Sequence, residues 1–527
     1  GVVGGQDVSY YERYGARLNT EHKLYNDVLK IGQHLNFNFI KNNGINVGNQ
    51  YNNTLRGAYG TSPLSPVYSD NNIFDSPYND TSNSPWFNGD GNPYGSMMTN
   101  SNNSNIAQRL LADVYAELEP VRNLKLKSIV GLNYYASAYR SYTPFYQFSV
   151  YAFNTDHTTT NQGMSSGNTL SFINTATYDV PLSENHALSV MVGTEAQRQN
   201  GTNLSGSNWN LLSQFNDFSH AYLSNTTGQA HFAADSSIVE TRVVGGGPSN
   251  AYRRASYFGR ISYAYQEKYI FNATLRADGS SRFARGNQWG TFPSVSAGWI
   301  VSNEGFFSGS SLAGTLGFFK IRASWGQVGN QSIDDFQFAA PINTSTNFNS
   351  NNPAAFYTFG TNNLNVPGAY PNRLSNPDLT WETSEQTNIG FDARMLSSRL
   401  DVAFDFYVKT TKDWLVTPPI LATVGTGAPV INGGSVKNSG IELALNWNDK
   451  IGEINYRVGL NGAYNKNRVG EIPTEDGIIH GQINMLYDNS EEFYRAQNGM
   501  PIGYFWGYET AGIFQNQEEI DQWMEDD

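Results

Sequence analysis

The 527-residue chain contains no cysteine. Disulfides, thiolate-bound zinc and cysteine nucleophiles are therefore excluded from it. The absence fits a chain that passes through an oxidising compartment. Basic residues are scarce: 33 Lys and Arg against 46 Asp and Glu leave a net charge of −13. A phosphate-binding surface needs clustered Lys and Arg, so nucleic acid is not an expected partner. The 7 histidines are scattered, without a His-x-x-x-His pair, and no metal site or cofactor is expected. Long apolar runs are also missing. Nothing approaches the roughly 20 apolar residues of a membrane helix, and the mean hydropathy of −0.47 reads as water-soluble. A β-barrel escapes that test, because half of each of its strands faces the lumen. The chain begins at Gly1, without an initiator Met or a charged-then-apolar leader. That reads as a processed chain or an internal piece of a longer one.

What the sequence has instead is alternation. In Tyr257–Tyr265 and Tyr269–Ala277, on either side of Gln266-Glu267-Lys268, every second residue is apolar or small. These are Tyr257, Gly259, Ile261, Tyr263 and Tyr265, then Tyr269, Phe271, Ala273, Leu275 and Ala277. Arg260, Ser262, Asn272, Thr274 and Arg276 stand between them. A period of two gives each strand one wet and one apolar face. Arms of about nine residues or more are long enough to cross a bilayer when tilted. Aromatics form 14% of the chain, enough for interfacial girdles or for loops that bind sugars or peptides.

The same pattern recurs along the chain. Expected pairs are Tyr14–Leu24 with Leu29–Lys41, Ile106–Glu119 with Leu124–Arg140, and Leu170–Val180 with His186–Gln199. Gly290–Ser302 and Phe318–Val328 follow the first-named hairpin. Then come Trp381–Leu396 with Arg399–Lys412, and Val436–Trp447 with Glu453–Lys466. That makes about fourteen strands, with Pro120 expected to break the ladder at its turn. Between the pairs lie long segments rich in Asn, Gly, Ser and Thr: 42–105, 141–169, 200–252, 329–380, 413–435 and 467–500. Loops this long are uncommon unless they are functional. Short turns alternating with long loops are the layout of a transmembrane barrel, with the turns at Asp27, Asn123, Glu267, Ser398 and Asp449 inside and Asn88, Ser350 and Gly425 outside. No fixed-period repeat points to a propeller.

No motif carries catalysis. Gly163-Met164-Ser165-Ser166-Gly167 matches the nucleophile-elbow pattern but lies in an expected loop, without the strand-to-helix context the motif needs. Gly245-Gly246-Gly247-Pro248 lacks the Lys-Ser/Thr of a phosphate cradle. The acids Glu518, Glu519, Asp521, Glu525, Asp526 and Asp527 read as a solvated charge run. Asp278, Ser280, Arg282 and Arg285 could line the mouth of a lumen or form a polar ladder between strands. Binding is expected in segments 72–94 and 336–374, whose candidates are Tyr78, Trp86, Phe87, Asn88 and Asp90, then Phe336, Phe338, Tyr357 and Arg373. Aromatic faces beside amides and carboxylates suit sugars or peptides, and equally suit packing of the loops on each other or on a partner. Three classes stay open on residues alone: a barrel importer, a soluble or surface-attached all-β carbohydrate-binding or adhesion protein, and a glycan-cleaving enzyme, which would need a facing carboxylate pair.

Several blocks closely resemble the SusC-type (RagA-like) TonB-dependent outer-membrane transporters. They are Arg276-Ala277-Asp278-Gly279-Ser280-Ser281-Arg282-Phe283, Gln288–Trp299, Lys320–Gln331, Asn376-Pro377-Asp378-Leu379-Thr380-Trp381-Glu382, Gln386–Gly390, Val436–Glu442 and Gly503–Gln515. The resemblance implies an all-β fold, a transmembrane antiparallel β-barrel that is part of a 22-stranded barrel. It also implies an outer-membrane location, contact with outer-membrane lipid, and import of an oligosaccharide or peptide. A SusD-like lipoprotein lid and TonB, acting through a plug domain, would be the partners. Family chains are about twice as long, and neither the plug nor the TonB-contacting segment is recognisable here. The chain is accordingly expected to be a middle portion, with barrel strands and loops over 1–515 and an acidic segment over 516–527 leading to missing strands.

Overall fold

The computed structural model describes residues 2–3, 6–45, 53–69, 76–215, 217–228, 242–249, 251–344, 356–359, 364–418, 420–483, 485, 489–510 and 512–526. The chain divides into two units, Gly1–Thr177 with Gly193–Ala255, and Tyr178–Val192 with Ser256–Asp527. No helix of the described residues is long and apolar enough to cross a membrane.

The first unit is built on an antiparallel meander. Its strands, in spatial as in chain order, are β1 (Tyr10–Leu24), β2 (Leu29–Asn43), β3 (Asn103–Val121), β4 (Leu124–Thr143), β5 (Thr159–Val180) and β6 (His186–Trp209). The tip of the β5–β6 hairpin, Tyr178–Val192, belongs to the second unit. A seventh strand, β7 (Val243–Ser249), lies along Gly201–Ser207. Pairing of β1 with β2 runs from Tyr10↔Asn43 to Leu24↔Leu29 without a slip. One face therefore carries Leu18, Leu35 and Ala112 in a row, then Ala16, Phe37 and Leu110 in the next. The other carries Asn19, His34 and Asp113, with His34 Nδ1 2.8 Å from the Asp113 carboxylate.

The second unit continues the same design through β8 (Arg253–Tyr265), β9 (Tyr269–Ser280), β10 (Trp289–Ile300), β11 (Leu316–Asn330), β12 (Glu382–Met395), β13 (Leu400–Lys412), β14 (Ser435–Ile451) and β15 (Ile454–Val469). Register aligns like with like across the sheet. Ile321, Phe391, Phe404 and Leu443 form one apolar row, and Ala323, Ile389, Phe406 and Ile441 the next. Leu275 is 56% exposed, Ile389 53% and Phe406 45%. A face this apolar and this open is costly in water and suited to lipid.

The opposite face is polar and tightly paired. Arg322 grips Asp405 with two hydrogen bonds, Nη1 to Oδ1 at 2.5 Å and Nη2 to Oδ2 at 2.7 Å, and its Nε reaches Asp392 at 3.2 Å. The fork spans β12 between them, where Gly390 stands opposite both Arg322 and Asp405. A Cβ on Gly390 would lie 2.4 Å from the Phe404 carbonyl oxygen and 3.2 Å from Arg322 Cζ, so only glycine fits there.

Aromatic rings bracket the apolar face. At the short-turn end, Tyr265, Tyr269 and Trp299 stack in sequence, and Glu304 accepts hydrogen bonds from Tyr269 Oη at 2.6 Å and Trp299 Nε1 at 3.1 Å. At the other end Trp289 stacks on Tyr257 at 5.8 Å. Trp289 and Trp299 share one face of β10. The ten residue-to-residue steps from one to the other span about 33 Å along the strand, or about 25 Å of height at the usual tilt, the thickness of a barrel's apolar band.

All fourteen expected strands are present, and the structure corrects several details around them. Pro120 interrupts its ladder as expected, since neither Glu119 nor Pro120 has a register partner on β4 and the register shifts between Leu118 and Val121, but β3 itself runs on to Val121. Gly163–Gly167 lies inside β5 and not in a loop, and Ser165 Oγ bonds Ser137 Oγ at 2.7 Å, so no elbow exists there. Gly245–Gly247 lies within β7. Two connections break the short-long rule. The 281–288 link at the long-loop end is short, while 301–315 at the opposite end is longer, folded by a 3-10 turn and a four-residue helix that bury Val301 and Phe307. The short turns hold their reversals with left-handed residues: Asn26, Asn123, Glu267, Ser397 and Gly452 all have φ between 54° and 70°.

The two faces set one expectation. Phe404→Arg places a charge on the apolar face, at a cost of about 2–4 kcal/mol near a bilayer midplane. Asp405→Ala removes one of two carboxylates from a polar face and leaves Arg322 paired with Asp392. Folding yield in detergent and heat-modifiable gel mobility should therefore fall more for Phe404→Arg than for Asp405→Ala.

Candidate binding loops at the long-connection end

Each unit carries packed loops where its long connections leave the strands. In the first unit, helix α1 (Thr54–Gly60) starts at Asn53, whose Oδ1 accepts from Leu55 N and Arg56 N at 3.0 and 3.1 Å. Helix α2 (Pro93–Asn100) starts at Asn92, with Pro93 at the first helical position, where its missing N–H is not needed. Asn92 is only 1% exposed and fully engaged. Its Nδ2 donates to Val67 O at 2.7 Å and Asn79 O at 3.2 Å, and its Oδ1 accepts from Gly95 N at 3.1 Å. Thr81 Oγ1 sits 2.7 Å from Asp90 O and 2.9 Å from Phe148 O. Gln147 Nε2 donates to Asp80 Oδ2 at 2.6 Å. The bonds to Phe148 O and Gln147 tie segment 76–100 to the short strand Tyr146–Ser149.

The five candidates of this segment divide by environment. Tyr78 packs against Tyr68, Tyr94 and Phe148, and burial, with Tyr68 beside it, pushes its phenol above the ordinary value. Its place is in an aromatic core. Phe87 stacks on the exposed Tyr151 at 6.2 Å. Asn88 donates to Gly60 O and accepts from Asp90 N at 3.3 Å. Trp86 projects from the rim, 55% exposed. Asp90 lines a cavity of about 270 Å³ between α1, α2 and the Tyr146–Ser149 strand, together with Arg56, Ser96, Thr99, Asn100 and Tyr146. The residues that organise this cavity, Asn92, Thr81 and Phe148, were not singled out from sequence. The Asn-Pro at 92–93 was the available signal, a helix cap followed by a first-position proline.

In the second unit Phe336 and Phe338 meet edge to face at 6.2 Å. Arg373 Nη2 donates to Phe336 O at 2.9 Å, so these three candidates are together. Phe336 adopts φ 60° and is 58% exposed. Tyr357 lies in the short strand Phe356–Phe359, opposite Val366. Ser350, expected on the same side, falls outside the described residues, as do 72–75, 345–355 and 360–363 of the two candidate segments. Beside these loops Phe283, Phe292, Leu379 and Trp381 form a buried cluster, and Trp381 Nε1 donates to Gln288 O at 2.9 Å. Asp278 is held by Arg276 of the same strand at 2.7 Å, and Arg282 by Asp335 at 3.0 Å.

Two further polar groups are local. Asp217 and Ser219 both contact Nδ1 of His220, at 2.9 and 3.0 Å, and the Ser219 hydroxyl also donates to Asp217. The bonds from Ser219 and His220 hold the Asp217 carboxyl at about 2. Sharing one imidazole nitrogen makes this a turn and not a relay, which needs both nitrogens. In the loop after β15, Glu492 at 2.9 Å, with Asp476 at 3.3 Å, raises His480 above its ordinary value. Among the described residues no group of three or more His, Asp or Glu could hold a metal ion.

Against known proteins, the model of the family described as "TonB dependent receptor-like, beta-barrel" matches residues 4–499. TonB-dependent receptor P26 of Formosa agariphila is 27% identical over 520 residues, covering 97% of this chain and 47% of that protein. TonB-dependent receptor SusC of Bacteroides thetaiotaomicron is 26% identical over 546 residues, covering 98% and 48%. The chain thus spans about half the length of the curated relatives it matches. Among solved structures, that of the RagAB peptide transporter superposes with a TM-score of 0.72 at 21% identity, covering 96% of this chain and 51% of that one. At that identity the likeness concerns the fold.

Replacing Asn92 should loosen the first cluster alone. Asn92→Ala removes a helix cap and leaves buried backbone groups unpaired, at a local cost of about 2–4 kcal/mol. Limited proteolysis should then cut within 53–100 while the strands stay resistant. His480 has the opposite pH sign to Asp217. Its folded value is raised, so its contribution is complete below about pH 6.5 and fades as pH rises through the folded value. That of Asp217 is complete above its ordinary value near 3.8 and fades only as pH falls through about 2. Amide-exchange protection of Ile478–His480 and Tyr494–Gln497 should fall between pH 6 and pH 8.5 or so, and that of Phe218–His220 should hold.

Proposed function

Because the chain belongs to the TonB dependent receptor-like β-barrel family, we propose that it forms part of the wall of an outer-membrane importer for oligosaccharides or peptides. The observation that carries this reading is the two-faced sheet. One face presents an open apolar band bracketed by Trp289 and Trp299, and the other a polar surface on which Arg322 and Asp405 pair. Lipid outside and a wet lumen inside satisfy both. A soluble carbohydrate-binding or adhesion module would leave Leu275, Ile389 and Phe406 facing water.

In this reading the residues of the chain bind and guide cargo without covalent chemistry, and energy reaches the barrel through TonB and a plug segment. The long-connection end faces outward. Its exposed aromatics, Trp86, Tyr151 and Phe336, meet a SusD-like lipoprotein lid or the cargo beneath it. The curated relatives support the TonB part through their names, and the Trp and Tyr rings beside Asn and Asp suit sugars and peptides alike.

Single cysteines report directly, since the chain has none of its own. A membrane-impermeant maleimide on whole cells should label cysteines at Asn88 and Gly425 and spare those at Glu267, Ser398 and Asp449; equal labelling of both groups would refute the orientation. Trp86→Ala should lower TonB-dependent uptake about fivefold, as loss of an exposed aromatic anchor does, without changing barrel abundance. Normal growth of that strain on limiting substrate would remove Trp86 from the binding surface.

A further inference from the structure

Connection 301–315 stands at the end of the strands where turns are otherwise short, and neither the sheet nor the binding loops account for its length. The other short connections of this unit are 181–185, 266–268, 396–399 and 452–453. Each carries an exposed charge, on Glu184, Glu267, Arg399 and Glu453. Segment 301–315 holds a single charged residue, Glu304, and its carboxylate is fully engaged. It accepts from Tyr269 Oη and Trp299 Nε1 and pairs with Lys268 Nζ at 3.2 Å. The rest of the segment is Ser, Gly, Asn, Thr and apolar side chains.

The segment lies along the rim of the sheet. At one end Asn303 Nδ2 donates to Glu267 O at 3.0 Å, and at the other Leu396 N donates to Thr315 O at 2.7 Å. Between these ties Val301 and Phe307 are buried, whereas Phe306 is 66% exposed and Leu312 60%. Neighbouring phenylalanines thus have opposite environments. The Phe306 ring is left open, 6.4 Å from that of Trp299. Trp299 stands opposite Ile321 and so belongs to the apolar row of Phe391 and Phe404. An exposed ring beside that tryptophan sits on the apolar side of the sheet and not over the polar one. Water gains nothing from these side chains, since apolar area is stabilising only once removed from it. A bilayer interface suits them, because it takes aromatic and apolar side chains while wetting the hydroxyls and amides beside them. Trp299 already marks one edge of the apolar band, so a segment at its end falls at headgroup level.

We propose that residues 301–315 form an interfacial anchor, with Phe306 and Leu312 inserted among the lipids of the leaflet at the short-turn end. The partner is the bilayer itself, and the anchor fixes how deep this side of the sheet sits in it. The proposal rests on the barrel reading, so the experiment carries a control for each. Single cysteines replace Phe306, Leu312, Ser183 and Phe404 in the full-length protein, which is labelled with the fluorophore NBD and reconstituted in liposomes. Quenching is read with iodide in the water and with lipids bearing a nitroxide near the headgroup or near the chain end. Heat-modifiable gel mobility checks that each variant is folded, and Leu312→Cys carries the test where Phe306→Cys is not. Labels at 306 and 312 should lose most emission to the headgroup-end nitroxide and little to iodide. The label at 183, on an ordinary turn, should show the reverse, and that at 404 should respond to the chain-end nitroxide. Iodide quenching at 306 or 312 equal to that at 183 would overturn the anchor. So would a label there that neither iodide nor lipid reaches, which would mean that protein covers the segment. Lipid quenching at 404 alone would leave the barrel standing without its anchor, and none at 404 would refute the barrel reading itself.

Discussion

Everything in this chain answers to one constraint: strands with two unlike faces must keep their register. A slip of one residue would turn Ile321, Phe391, Phe404 and Leu443 toward the polar side. Hydrophobic burial in lipid holds the apolar rows. On the other face, Arg322 spans Gly390 to reach Asp405, and the fork closes only when β11, β12 and β13 are aligned residue for residue. The paired charges owe their value to geometry, since a desolvated ion pair contributes little unless its hydrogen bonds are complete. Glycine at 390 is part of the same device, because any side chain there would collide with the Phe404 carbonyl.

The loops solve a different problem. They lack disulfides, and beside small buried clusters such as Phe283, Leu379 and Trp381, polar side chains bonded to backbone do much of the fastening. Asn53 and Asn92 cap helices, Asn376 and Asn432 tie the 376–380 segment to 430–432, and Thr81 bridges two segments. The abundance of Asn, Ser and Thr outside the strands is thus structural, and it leaves Trp86, Tyr151 and Phe336 free to project. A scaffold fixed in this way can present a pocket without first having to order it.

The strands were legible because alternation is a direct consequence of having two solvents. Their outward ends were not. Thr159–Thr169 and Asn200–Trp209 lie in β5 and β6, yet they read as loop because beyond the apolar band neither face has to be hydrophobic. Gly163–Gly167 reads as loop for this reason, whereas Pro120 does mark the interruption of the β3–β4 ladder. The candidate loops were legible only as composition. Which aromatic is core and which is exposed depends on Phe148, 70 residues from Tyr78, and no local pattern carries that pairing. The resemblance of the Arg276–Phe283 and Asn376–Glu382 blocks pointed to the family but not to the roles of Arg276, which reaches Ser256 on β8, of Arg282, which pairs with Asp335, and of Trp381, which bonds Gln288.

The claim that lipid covers the apolar face is tested most directly by a nitroxide scan of β13. Spin labels on single cysteines from Asp401 to Val408 would be read for collision with oxygen, which partitions into lipid, and with a water-soluble nickel chelate. Oxygen should dominate at Val402, Phe404, Phe406 and Val408, and nickel at Asp401, Ala403, Asp405 and Tyr407. A flat profile, or nickel access at Phe404 and Phe406 equal to that at Asp405, would contradict the account.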